Sequence, residues 1–195
     1  MINASLSFYP PTRARKGVVK MIVPFQGKFP KVDPTAFVAD NAMIIGDVEI
    51  KSGANIWFNS IVRGDVNSIR IGSNSSIQDA CVLHVEKELH PLIIGDDVVL
   101  GHRVVAHGCR IGRGALIGIG AIVLNGAEIG EESIVGAGSV VTSNTVIPPR
   151  TLAMGIPAKP IRPLGEKDLS MIRQTLLNYQ GLKVIYEGEN LRTGF

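Results

Sequence analysis

Aliphatic residues return at every sixth position along most of this chain. The clearest run is Ile111, Ile117, Val123, Ile129, Val135, Val141 and Ile147, and four residues after each stands a small side chain: Ala115, Ala121, Ala127, Ser133, Ser139, Thr145 and Thr151. A six-residue period with one large and one small inward position predicts a parallel β-helix. Its flat faces bury the aliphatic residue, and its tight corners admit only the small one. Counted backwards, the repeat reaches Val32 through Val38, Ile44, Ile50, Ile56, Val62, Ile71, Ile77, Leu83, Ile94, Leu100 and Ala106, nineteen hexads in all. Three hexads make one triangular coil, so residues three hexads apart stack on one face at about 4.8 Å, as neighbouring strands do. The period breaks in three places. Nine residues separate Val62 from Ile71, eleven separate Leu83 from Ile94, and five separate Ala106 from Ile111. Loops that bulge, or a corner that tightens, are expected there.

No segment before residue 163 sustains a 3.6-residue period, and glycine is too frequent for helix. After Pro163 the spacing changes to Leu169, Ile172, Leu176 and Tyr179, three, four and three apart, which is the stripe of an amphipathic helix. The expected organisation is a β-helix over 21–162, a helix over 163–187 that covers a face or an open end of the solenoid, and a polar tail over 188–195.

The chain has 195 residues, 45% of them apolar, enough for one domain with a long core. Its formal charge of +3 is misleading, because residues 1–20 carry Arg13, Arg15, Lys16 and Lys20 and no acid. Residues 21–195 therefore hold 16 basic against 17 acidic groups. A body so balanced offers no general electrostatic footprint for nucleic acid or an anionic membrane. The first twenty residues read as a disordered basic tail or an extension ahead of Met21. No run approaches the length of apolar residues that a membrane span needs, so the expected compartment is the cytoplasm. Two cysteines are too few for a disulfide framework. Cys81 takes the small inward slot after Ile77 and is expected to be structural; Cys109 stands near His107, where a metal or redox role is the less expected reading.

The coil count sorts the histidines. If Ile71, Ile77 and Leu83 open a first, second and third face, then Ile94, Leu100 and Ala106 open the same faces one coil later. His84 follows Leu83 and His107 follows Ala106, so the two share a slot on the third face and stack. His102 lies two residues after Leu100, on the second face. Two stacked imidazoles can reach one metal ion, whereas His102 points away from them within one chain. Packing the second face of one chain against the third face of the next would bring all three together. The expected site is thus interfacial, with His84 and His107 from one protomer and His102 from another. Arg63 occupies the same third-face slot one coil earlier, with Asp65 two residues on, and Gln78 and Asp79 hold the matching positions on the second face. Asp65 or Asp79 would balance and orient the guanidinium. His90, in the loop before Pro91, is expected at the surface.

These residues resemble the γ-class carbonic anhydrases and their shorter homologues. The resemblance runs from Met21 to about Gly188 and rests on Arg63-Gly64-Asp65, Gln78-Asp79, the three histidines, Gly155-Ile156-Pro157-Ala158-Lys159 and the terminal helix. It implies a left-handed β-helix, a homotrimer, and three interfacial metal sites with His84, His102 and His107 as ligands. Zinc is the expected metal, with iron or cobalt as substitutes. Arg63, Asp65, Gln78 and Asp79 match family residues that form the interface network and position solvent or bicarbonate. Two features depart from the family prototype. Val66 stands where it has a glutamate, and its long acidic loop is reduced to Val85–Leu92, leaving Glu86, Glu88 and His90 as candidates to move protons.

Three functions follow. In the first, a metal-dependent carbonic anhydrase-like lyase hydrates carbon dioxide to bicarbonate with metal-bound hydroxide, because three neutral imidazoles leave a fourth position open and lower the pKa of bound water towards about 7. In the second, a hexapeptide acyltransferase uses one histidine as general base on an acyl-CoA, which the fold permits. The third is a non-catalytic trimeric scaffold stabilised by its metal. Only the first uses both the open coordination position and the Arg63 column.

Overall fold

The computed structural model describes residues 21–188; the expectation for residues 1–20 concerns a segment outside the described residues. Parallel strands, most of them only two or three residues long, alternate with corners, and three columns of inward residues run the length of the prism. One is Val38, Ile56, Ile77, Leu100, Ile117, Val135 and Ala153. The second is Ile44, Val62, Leu83, Ala106, Val123 and Val141. The third is Val32, Ile50, Ile71, Ile94, Ile111, Ile129 and Ile147. Every pair stacks in the register that the hexad count requires. Most of these side chains are wholly buried, and each aliphatic one contributes about 1.5–3 kcal/mol. The small slots are occupied for a second reason. The hydroxyls of Ser60, Ser75 and Ser133 each donate to a carbonyl of the following coil, at Gln78, Gly95 and Pro148, at 2.7–2.8 Å.

Where the period breaks, the backbone does three different things. Between Val62 and Ile71 no loop forms. The strand Ile61–Ile71 runs on, and the extra residues are absorbed as a bulge opposite Gly46 and Val48 of the strand Met43–Ile50. Between Leu83 and Ile94 a loop leaves the prism after His84 and rejoins it at Leu92. Between Ala106 and Ile111 the corner is shortened by a positive φ at Gly108.

The solenoid ends in a feature that the hexad count does not contain. Thr151–Gly155 still stacks on the preceding coil, but Ala158–Pro163 turns back antiparallel against it and forms the edge of the sheet. The helix Glu166–Gly188 then runs along the second face, touching the strands Asn55–Ile56, Ser76–Ile77 and Val99–Leu100. Leu169 and Ile172 bury against Ile134, Leu116, Leu152 and Leu164. Asp168 closes the helix start by accepting from the Gly165 N–H at 2.9 Å, and Arg162 grips the same carboxylate at 2.7 and 2.9 Å. No helix among the described residues is long and apolar enough to cross a membrane.

Candidate metal centre

His84 and His107 lie side by side in register on adjacent strands, with ring centroids 4.9 Å apart. His84 Nδ1 faces His107 Nε2 at 3.0 Å. Each ring is held from behind. His84 Nε2 lies 2.9 Å from Asp65 Oδ1, and His107 Nδ1 meets Asn125 Oδ1. A carboxylate and an amide oxygen can only accept, so in the neutral rings these outer nitrogens carry the protons. The two inner nitrogens are then both lone-pair acceptors facing one another. A cation relieves that arrangement, and tetrahedral zinc with Zn–N bonds of roughly 2.0–2.1 Å would set its ligand nitrogens about 3.3 Å apart. The donor set therefore fits a metal ion, and Asp65 and Asn125 supply the outer hydrogen bonds that orient metal-binding imidazoles.

Asp65 reaches His84 because of the bulge in Ile61–Ile71. Its other oxygen pairs with Arg63, whose side chain is 43% exposed. Burial opposes ionisation of Asp65, but the bonds from His84 and Arg63 outweigh it and hold the carboxyl below the usual range. Arg63, His84 and His107 thus form one column, with Asp65 cross-linking the first two.

His102 stands apart, at the corner after the second face. Its Nδ1 contacts Asp79 Oδ2 at 2.8 Å, its backbone N–H donates to Gln78 Oε1 at 3.1 Å, and its Nε2 shares a hydrogen bond with the Tyr179 hydroxyl at 3.1 Å. Among the described residues of one chain, no group of three or more potential ligands forms. The structure brings together His84, His107, Asp65 and Arg63 on one face, and His102, Asp79 and Gln78 at the other. Gln78 is buried, with its amide oxygen committed to the His102 backbone.

The loop residues separate as well. Glu86 lies 3.6 Å from His90 Nε2, and its backbone is tied by Glu86 N–H to His90 O at 3.0 Å and by Asn67 Nδ2 to Glu86 O at 2.9 Å. The Glu88 side chain is 80% exposed, with Lys87 Nζ 3.7 Å away. His90 is a half-exposed residue of the loop whose side chain lies against Gly108 and Gly126. Both cysteines are buried, and burial pushes each thiol up to about 12, which disfavours a reactive thiolate. Nothing in the sequence marks Asn125 or Tyr179 as part of the site. An asparagine after a strand reads as a turn former, and Tyr179 reads as one apolar position of the helix stripe.

Two hexapeptide-repeat families match the chain, bacterial transferase hexapeptide (six repeats) over residues 108–143 and hexapeptide repeat of succinyl-transferase over residues 91–118. This repeat fits the left-handed form of the β-helix. A probable carbonic anhydrase of Methanocaldococcus jannaschii is 49% identical over 150 residues, covering 77% of this chain and 94% of that protein. Gamma carbonic anhydrase 1, mitochondrial, of Arabidopsis thaliana is 41% identical over 170 residues; the match covers 85% of this chain and 62% of that longer protein. A crystal structure of a putative acetyltransferase of Bacillus cereus matches with a TM-score of 0.85 at 44% identity, covering 87% of this chain and 98% of the other.

Proposed function

We infer that this chain, which belongs to the γ-class carbonic anhydrase-like family of hexapeptide-repeat proteins, is a metal-dependent carbonic anhydrase-like enzyme acting as a homotrimer on carbon dioxide and bicarbonate. The observation that carries this reading is the pair of imidazole nitrogens, on His84 and His107, that face each other 3.0 Å apart, with each ring backed by Asp65 or Asn125. His84 and His107 of one protomer and His102 of the next are the proposed ligands. Bound there, zinc, with iron or cobalt as substitutes, supplies the Lewis acidity that makes a water nucleophilic near neutral pH.

The remaining roles belong to the chain. Asp65, Asn125 and Asp79 keep the protons of the three imidazoles on their outer nitrogens. Gln78, with its oxygen occupied, has its amide nitrogen to donate to substrate. Arg63 neutralises Asp65 and stands where a neighbouring chain would close over the column. Glu86, paired with His90 at the start of the loop, is placed to hand protons outward. Support for assembly comes from the flank of the column, where Ile61 and Val82 are 39% and 40% exposed side by side; a stripe of that kind calls for a covering surface.

The test is metal analysis of anaerobically purified protein followed by a carbon dioxide hydration assay. About one metal per chain and hydration activity are expected, and both should disappear in His84→Ala. The acyltransferase reading is kept because the matching Bacillus cereus structure bears that name and because both matched repeat families are described as transferases. Acyl-CoA turnover that persists after metal removal, without hydration activity in the metal-loaded protein, would favour it. Full metal occupancy with neither activity would favour the scaffold.

A further inference from the structure

His102 differs from the other two histidines in what occupies its free nitrogen. Its Nδ1 lies 2.8 Å from the Asp79 carboxylate, a contact that favours the tautomer with the ring proton on Nδ1 and a single lone pair on Nε2. In that tautomer the lone pair accepts the Tyr179 hydroxyl, 3.1 Å away. A ring nitrogen with one lone pair serves one partner at a time. We propose that Tyr179 is a built-in competitor for the metal-binding nitrogen of His102, a side-chain latch that must swing aside before the interfacial site closes. The inference rests on the metal-centre reading above and adds to it a residue that controls access to the third ligand.

The surroundings determine how the latch opens. The next turn of the helix is fastened to the solenoid: Gln180 Nε2 donates to Asn74 O at 2.7 Å and to Gly53 O at 3.1 Å, and the buried Lys183 donates to Thr35 O. With the helix backbone held, the hydroxyl leaves by rotation of its own side chain rather than by release of the helix. Rotation disturbs one particular neighbour. The Tyr179 ring meets Trp57 edge to face, with centroids 5.3 Å apart and planes at 79°. Trp57 is the only tryptophan in the chain. It is buried and is also touched by Phe37, Phe58 and Tyr186, so moving Tyr179 changes one wall of a closed aromatic box. Metal loading at His102 is thereby coupled to the emission of a single fluorophore outside the site.

The experiment uses full-length, metal-free protein, titrated with zinc against a chromophoric chelator while Trp57 emission is followed. Wild type should bind about one zinc per chain, with emission changing in step with occupancy. Tyr179→Phe keeps the ring and removes the bond that zinc must break, so it should bind zinc about fivefold more tightly, the order expected for one net hydrogen bond. A tyrosine that merely supported the site would give the opposite sign, weaker binding in the variant. Equal or weaker zinc affinity in Tyr179→Phe, with zinc still bound stoichiometrically, overturns the latch and leaves the metal centre intact. Wild-type emission that stays flat through saturation overturns it without any variant. Zinc binding by neither protein overturns the metal centre and the latch together.

Discussion

The face assignment can be tested by mixing two inactive chains. His84 and His107 are partners in one register on the third face, while His102 belongs to the corner after the second face. If each centre takes two ligands from the first surface and one from the second, then His84→Ala damages only the donor face of a chain and His102→Ala only its receiving corner. Each variant alone should bind metal poorly at all three interfaces. Unfolded together in equal amounts and refolded, the chains assort around a closed ring. An interface is whole when its third face comes from a His102→Ala chain and its corner from a His84→Ala chain, a chance of one half for each. About one interface in four should then recover, by random pairing in a cyclic trimer. The assay is zinc content per chain after removal of loosely bound ion, with hydration activity in parallel. A mixture of His84→Ala with His107→Ala should recover nothing, because both lesions lie on one surface. Recovery in that control, or none in the first mixture although trimers form, would refute the interfacial assignment.

Two further outcomes follow from local geometry. Asp168 is drawn down to about 2 by the Arg162 side chain first and the Gly165 N–H second, against about 3.9 in an unfolded chain. A carboxylate depressed on folding stabilises fully above its unfolded value and loses that contribution as pH falls through its folded one. The melting temperature lost in Asp168→Asn should therefore be constant above pH 5 and shrink towards nothing between about pH 4 and 2; a deficit of full size at pH 2 would refute the assignment. In the loop, Glu86 is tied and paired with His90 whereas Glu88 points to solvent beside Lys87. Glu86→Gln should therefore lower kcat, leave kcat/KM largely intact and be rescued by imidazole buffer. Glu88→Gln should have little effect, and the reverse ranking would move the proton path to Glu88.

The hexad count was sufficient to place almost every inward side chain, because a period of six with three flat faces leaves one consistent stacking. That is why the pairing of His84 with His107 was readable without coordinates. The antiparallel return at Ala158–Pro163 was not readable, since a strand that closes the sheet keeps no memory of the repeat. The bulge in Ile61–Ile71 reads from the spacing as a bulging loop or a tightened corner, because sequence spacing counts extra residues without saying whether their backbone stays paired. The partners of the histidines were harder still. Tyr179 reaches His102 across 77 positions, from an element outside the period, and a helical stripe shows which face is buried but not where a hydroxyl ends.

The three breaks in the period share one neighbourhood, and this gives them a functional meaning. A perfect hexad repeats the same environment at every coil, so it cannot by itself give two adjacent histidines different outer partners. The bulge after Val62 turns Asp65 onto Nε2 of His84. The loop after His84 carries His90, with Glu86 beside it, back to the corner, where His90 lies against Gly108 and Gly126. The shortened corner after Ala106 depends on a glycine at φ +53, where a β-carbon would come within 2.9 Å of the Asn125 oxygen that holds His107. Replacing Gly108 by alanine would therefore crowd the Asn125 contact at a backbone angle that favours glycine, while leaving the ligand itself untouched. The irregularities are placed where identical coils have to become unequal, as expected when a repeat gives up local regularity for a polar site.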